Sequence, residues 1–337
     1  MRNKYISCYV AAFCAGLLST ACNDFLDEVP DNRTVIDTPE AVSELLVSAY
    51  PDANCVFFTE SMSDNVTDRG NTLDPYVQPD WNRANRQAFY WEDIDMTYQD
   101  SPNYFWMASY QAIAAANHAL EAIAELEAKG VDCSAQKGEA LLCRAYNHFM
   151  LVNVFAQHYN PAFAATDMGV AYVTEPEKEV FGHYERVSVK ETYDKIRKDL
   201  EEGLPLISNK AYGDTPKYHF TREAAQAFAC RFYLYVGEWQ KAIDAADEAL
   251  GDNPTLRNWN EYIQMSTANR EKNYTSVQES ANLLLASTVS QFAVDQSFYR
   301  YGYSTTVNNS LFQQNDNVVN GVWAYRAEAY NVSSEAL

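Results

Sequence analysis

The sequence predicts a mainly α-helical repeat scaffold interrupted by long irregular loops, and three observations predict it. Apolar residues recur at helical spacing through residues 110–155, a helix-opening cap stands at Ser188–Glu191, and residues 222–254 spell two helices around one glycine turn. A chain of 337 residues with 47% hydrophobic and 21% charged side chains can bury a sizeable core, which argues against wholesale disorder. Lys and Arg number 25 against 46 Asp and Glu, a formal charge of −21, so the surface repels phosphate backbones and nucleic acid is not an expected partner. Aromatic residues reach 14%, with 24 Tyr and 6 Trp, an excess that serves either a core or a binding surface.

Residues 1–22 read MRNKYISCYVAAFCAGLLSTAC. Arg2 and Lys4 form a basic start, Tyr5–Leu18 is apolar, and Ser19, Thr20 and Ala21 are small residues directly before Cys22. The apolar run falls short of the roughly 20 residues that span a bilayer and has the build of a secretory signal. Small residues before a cysteine match a bacterial lipoprotein cleavage site, at which the Cys22 thiol is acylated. Leu18 stands one place further from Cys22 than that site usually has it, and an ordinary signal peptide with an incidental cysteine is the other reading. The seven cysteines divide accordingly: Cys8 and Cys14 leave with the signal, Cys22 takes lipid, and Cys55, Cys133, Cys143 and Cys230 remain. No C-x-x-C pair occurs, so zinc and redox motifs find no support. Cys143 and Cys230 fall within amphipathic helices and are expected to be buried free thiols; the state of Cys55 and Cys133 stays open.

After a polar, turn-rich tether, a helix is predicted over Pro39–Tyr50, capped by Asp37 or Thr38 with proline in its first position. Residues 51–100 lack a sustained helical period and read as a long loop, of the kind that carries function when it occurs inside a domain. Tyr110, Ile113, Leu120 and Ile123 then form one helical stripe ending near Gly130, and Leu142, Ala145, Phe149, Val152 and Phe155 form a second. An extended connector leads to Ser188 and Glu191, spaced as a reciprocal capping box, and to a helix presenting Tyr193, Ile196 and Leu200. Residues 222–254 make one tetratricopeptide-type unit: Tyr233 packs the first helix, Gly237 turns the chain, Ala242 and Ala249 admit close helix approach, and Pro254 ends it. Ala246 stands where an aromatic is usual. A single unit cannot bury its own face, so neighbouring helices are expected to stack on it. From about Asn258 the period fades into a polar, aromatic stretch with weak strand and loop signals.

G-x-S-x-G, P-loop, G-x-G-x-x-G and H-E-x-x-H patterns are missing from the sequence, and the five histidines have no metal-ligand spacing. The expectation is a protein with no catalytic residues, no cofactor and no metal. DNVTDRGN (64–71) clusters oxygen ligands without the EF-hand glycine and glutamate, and reads as loop. The aromatic-polar segment 60–91 is the candidate binding constellation. A sugar ring offers a C–H face and a rim of hydroxyls, which an aromatic face and bidentate polar groups can read. Trp81 and Tyr76 are the candidate stacking platforms, and Asp64, Arg69 and Asn82 the candidate hydroxyl partners. Trp81 has two readings at this point, a sugar platform or an anchor beneath the loop. Tyr90 and Trp91 abut the helical region and are expected to pack, and Trp239 at the repeat turn is expected to be structural.

Several segments in order resemble the SusD/RagB family of outer-membrane nutrient-binding lipoproteins. CNDFLDEVP resembles the start of the mature protein, WMASYQAIAAANHALEAI its first helix with Ala116-Asn117, and GEALLCRAYNHFMLVNVFAQHY its R-A-Y-x-x-F-x-L helix. RVSVKETYDKIRKDLEEGLPLI and the 222–254 unit follow in place. The resemblance runs from Cys22 to about residue 290. It implies a signal peptide over 1–21, a SusD-like helical repeat domain over 22–290, and over 291–337 the beginning of a C-terminal region that family members carry at greater length, as in a truncated fragment. It also implies a lipid-anchored protein on the outer face of the outer membrane. Such a protein captures a nutrient, foremost an oligosaccharide or starch-like glycan, and delivers it to a TonB-dependent transporter of the SusC kind. The family often draws glycan contacts from the place held here by residues 60–91. The alternative is a tetratricopeptide-type protein-interaction scaffold at the outer membrane that binds no glycan.

Overall fold

The computed structural model describes residues 36–68, 81–178, 182–214, 216–252, 254, 257–290, 292 and 300–302, with the side chains of Trp81 and Asn82 among those left out. The expected signal peptide, Cys22, Arg69, Tyr76 and residues 303–337 lie outside the described residues. The described helices belong to one unit that begins at Asp37.

Helix α1 (Pro39–Leu46) opens on Thr38, whose hydroxyl accepts the Ala41 N–H at 3.1 Å, and tightens into a 3₁₀ turn over Val47–Ala49. The expected loop over 51–100 instead contains α2 (Val56–Ser61), a two-residue strand β1 (Thr67–Asp68) and α3 (Trp81–Phe89). The reason α3 escapes a hydropathy reading is its buried face, where small Ala84 and Ala88 alternate with polar Asn85 and Gln87. That face has helical spacing but almost no apolar bulk.

Helix α4 (Pro102–Ala128) is capped by Ser101, and α5 (Ser134–Phe155) returns beside it after a short turn. Helix α6 (Val189–Gly203) packs on the other flank of α5. Ser188 Oγ accepts the Glu191 N–H at 3.1 Å as the capping box requires. Glu191 does not reach back, however: its carboxylate pairs with Lys195 at 2.9 Å, one helical turn on. Helices α7 (Arg222–Val236) and α8 (Trp239–Leu250) pack together around Gly237, whose φ of +78° is the left-handed value a glycine supplies without strain. The weak signals beyond Asn258 resolve into α9 (Trp259–Gln264) and α10 (Thr267–Tyr274), too short and polar to show a period. Strand β2 (Tyr301–Gly302) pairs antiparallel with β1, Asp68 opposite Tyr301. The fold is therefore mainly α, a helical scaffold with irregular connections.

Helix α5 is the core of the scaffold. Leu142, Phe149, Leu151 and Val152 are fully buried, and so are the polar Glu139, Asn147 and His148. Where α5 meets α6 the backbones nearly touch. A Cβ at Gly203 would lie 2.9 Å from the Gly138 carbonyl oxygen, and one at Gly138 would lie 3.0 Å from the Gly203 oxygen. Gly203→Ala is expected to push the helices apart at a cost of about 1–3 kcal/mol. Urea unfolding of the two proteins measures it, and an unchanged midpoint would show that the crossing has room.

Polar groups on these helices pin the irregular segment 171–175. Arg144 donates to both oxygens of Asp199 at 2.7 Å, and to Asn117 Oδ1 at 3.0 Å and the Thr174 carbonyl at 3.3 Å. Asn117 donates to the Val173 carbonyl at 3.1 Å and Tyr172 donates to Asp199 at 2.7 Å. His148 stacks on Tyr172 with ring centres 3.8 Å apart, donates from Nδ1 to the Arg144 carbonyl at 2.9 Å, and accepts the Val173 N–H on Nε2 at 3.1 Å. Both ring nitrogens are thus used by a neutral imidazole. Burial drives its pKa from 6.5 down to about 3, with nearby Arg144 adding to the fall.

Between pH 6.5 and about 3 the unfolded chain binds a proton that the folded chain refuses, so stability falls as pH falls through that window. The share of His148 is about 1.4 kcal/mol per pH unit. His148→Gln should flatten the decline relative to wild type in urea midpoints taken at successive pH values. Parallel curves would assign the acid sensitivity to other groups.

Candidate ligand-binding site

The sequence-predicted residues fall as follows. Asp64 is exposed in the turn after α2. Trp81 and Asn82 stand in the first turn of α3 rather than on a loop. Eight residues at the helical rise separate Trp81 from Phe89, about 12 Å along the axis. The structure describes no cluster that joins these residues, and Arg69 and Tyr76 lie outside it.

At the far end of α3 the structure assembles a different set. Asn85 donates to the Tyr301 carbonyl at 2.8 Å and to Ser61 Oγ at 3.2 Å, tying α3 to β2 and α2. Phe89 stacks on Tyr301 with centroids 4.6 Å apart, and Tyr90 meets the same ring edge-on at 5.5 Å. Arg300 covers Tyr301 at 5.3 Å and grips Asp68 through two bonds of 2.6 and 2.7 Å. This surrounds one aromatic ring with a bidentate ion pair and two further rings.

The helix ends in a Schellman closure: the Trp91 N–H bonds the Ala88 carbonyl at 3.1 Å and the Glu92 N–H bonds the Gln87 carbonyl at 2.8 Å. That closure puts its next-to-last position in the left-handed region, and the residue there is Trp91, at φ +56°. Glycine is the usual occupant; a bulky side chain in that conformation is costly and points to function. Arg86–Glu92 at 2.8 Å and Arg83–Asp95 at 3.3 Å hold the following segment back against α3. The Trp91 indole is 72% exposed and Tyr90 is 51% exposed. The expectation that both pack holds in part for Tyr90, which meets Phe89 and Tyr301 edge-on, and is corrected for Trp91: nearness to a helix in sequence does not say which face the chain turns outward. Trp239 is 65% exposed yet stays at the repeat turn, its ring 3.7 Å from where a Cβ on Gly237 would lie.

Sequence reasoning missed Trp91, Asp68, Arg300 and Tyr301. For Trp91 a signal existed, since it stands directly before acidic Glu92, Asp93 and Asp95, residues that favour an exposed segment. For Asp68 and Arg300 none did, because they meet only through strand pairing across more than two hundred residues. Among the described residues no group of three or more His, Cys, Asp or Glu could hold a metal ion, and no helix is long and apolar enough to cross a membrane. All four described cysteines are free; Cys143 is buried as expected, while Cys230 is only half-buried.

Stacked helix pairs presenting an aromatic edge at one helix end define a helical-repeat scaffold protein. Residues 24–234 match the SusD-like family whose description reads "Starch-binding associating with outer membrane", and the chain belongs to that family. Solved structures agree on the fold. A SusD superfamily protein from Bacteroides thetaiotaomicron is 21% identical with a TM-score of 0.51, over 67% of this chain and 50% of that one. A SusD-like carbohydrate binding protein from Bacteroides vulgatus is 20% identical with a TM-score of 0.53, over 67% of this chain and 47% of that one. The chain thus spans about half the length of these structures. No curated protein matches it.

Proposed function

We propose that this protein is a non-catalytic surface lipoprotein that captures a nutrient glycan, of oligosaccharide or starch-like type, and hands it to a SusC-like TonB-dependent outer-membrane transporter. The observation that carries the reading is Trp91, an indole held out from the end of α3 in a backbone conformation that glycine would adopt more cheaply. Exposed Tyr90 beside it and the Asp68–Arg300 pair next to Tyr301 supply further ring and hydroxyl contacts. The description of the family supports starch-like ligands. Trp81, Asn82, Asp64, Arg69 and Tyr76 remain proposed contacts on the same segment. No reaction is needed: stacking and hydrogen bonds hold the ligand, and a protein interface holds the transporter.

The anchor is the lipid on Cys22, which holds the protein at the outer membrane, facing outside. A stable anchor needs more than one acyl chain, which bacterial lipoproteins provide. Calorimetric titration with a panel of glycans tests capture, and palmitate labelling of wild type and Cys22→Ala tests the anchor. Heat from no member of the panel would remove the first claim, and equal labelling of both proteins the second.

The protein-interaction reading has one observation in its favour. Trp239, Ile243 and Leu250 lie exposed along α8 at helical spacing, while Ala242 and Ala245 face α7. We read this stripe as the seat of the transporter, so that both readings operate on one scaffold. Co-purification of a transporter by wild type, lost on Ile243→Asp, would support this; retention of a transporter by that variant would place its contact elsewhere.

A further inference from the structure

A cleft of about 970 Å³ opens between the turn that follows α1, the middle of α4, the turn before α7 and the segment 285–287. His219 lines it, and the structure fixes this ring from two directions. Its Nδ1 lies 3.0 and 3.2 Å from the two oxygens of Glu139, whose side chain is fully buried and also accepts the Tyr50 hydroxyl at 2.6 Å. The Tyr212 ring lies flat against the imidazole, centroids 4.0 Å apart and planes 8° from parallel. A carboxylate only accepts, so the proton sits on Nδ1 and Nε2 is the nitrogen left for a ligand. A hydroxyl can donate to that nitrogen in the neutral ring or accept from it in the charged one.

The Glu139–Tyr50–His219 contacts join α5, the turn after α1 and the turn before α7, which accounts for them as structure. It does not account for a clamped imidazole on the wall of a cleft. The other lining groups say what the cleft would take. Tyr50 and half-exposed Tyr218 offer ring faces, and Gln111, Asp52 and Ser287 offer hydroxyl, amide and carboxylate partners. No Lys or Arg is among the described lining residues, so nothing there compensates a phosphate, sulfate or uronate. The volume stands at the upper end of ligand pockets, about 300–1,000 Å³, and suits more than one ring.

We infer that this cleft is a second binding site, for a neutral, hydroxyl-rich ligand of two or more rings, with His219 Nε2 as the orienting contact and Gln111 and Asp52 beside it. The inference rests on the reading of the chain as a saccharide-binding protein and adds a site separate from the end of α3.

The test is calorimetric titration of the full chain with neutral hexasaccharides of α-1,4-, β-1,3- and β-1,4-linked glucose, with a hexauronate as the charged control. Two sites per chain are expected. His219→Gln and Gln111→Ala should each weaken one of them about tenfold, the scale of a well-made polar contact, and leave the other intact. Trp91→Ala should do the reverse. Gln111 is exposed on α4, so its variant keeps the test valid if His219→Gln fails to fold. A single site lost with Trp91→Ala and indifferent to both cleft variants overturns the inference and leaves the proposed function standing. A single site lost only with the cleft variants overturns the α3 site instead. Hexauronate binding that the cleft variants abolish overturns the neutral class of ligand, and no binding by any sugar overturns both sites.

Discussion

Arg144→Ala is expected to remove about 3–5 kcal/mol of stability, enough to unfold a marginally stable scaffold. The side chains of Arg144 and Asp199 are only 10% and 5% exposed, and their two parallel bonds are both 2.7 Å long. The cost comes less from the lost attraction than from what remains. Asp199 would keep a single donor, the Tyr172 hydroxyl, and the Asn117 and Thr174 oxygens would lose theirs. Segment 171–175 would lose its Thr174 contact and hang on the Asn117, His148 and Tyr172 bonds alone of those described above. Replacing both partners by apolar residues, Arg144→Met with Asp199→Leu, should cost clearly less than Arg144→Ala alone, because no buried charge is stranded. Denaturant unfolding of the three proteins decides the matter. Equal losses for the single and double variants would mean that the pair matters through its packing and not its charge.

Trp91→Ala is expected to cost about 2 kcal/mol or more of glycan affinity, roughly thirtyfold in Kd, the scale of a tryptophan at the centre of a recognition surface. Stability should move little, since the indole is 72% exposed and few contacts are lost. Trp91→Gly makes the sharper form. At φ +56° glycine relieves strain, so this variant should bind as poorly as alanine yet unfold later, by up to about 1 kcal/mol. Opposite movement of affinity and melting temperature in one variant separates a binding role from a packing role. A fall in both would make Trp91 a structural anchor. Trp81→Ala serves as the companion measurement: lost affinity with an intact midpoint makes it a platform, a collapsed midpoint makes it an anchor.

Much of the scaffold was legible in the residues themselves. Ser188 caps its helix as its spacing predicts and Thr38, one of the two residues offered, caps α1, because a side-chain oxygen three residues before a free amide needs nothing distant to act; Ser101 and Thr221, not singled out in the sequence, cap in the same way. The stripes of α4 to α7 and the turn at Gly237 were equally local. Helix α3 was not legible, since polar Asn85 and Gln87 occupy its buried face and are accepted there by tertiary neighbours. The candidate site divides in the same way. An aromatic-polar segment before α4 could be seen, but not which of its rings would face out.

By itself the sequence determined the helical class, the positions of α1 and of α4 to α8, the cap at Ser188, and the resemblance of the chain to a nutrient-binding family. These depend on spacing along the chain, which the sequence states directly. Tertiary structure alone decided that Arg144 and Asp199, 55 residues apart, would form a buried pair, and that Asp68 and Arg300, 232 apart, would close beside Tyr301. It alone turned the Trp91 indole outward. Such pairings depend on which surfaces meet when the helices pack, and the burial that makes them strong exists only after they have met.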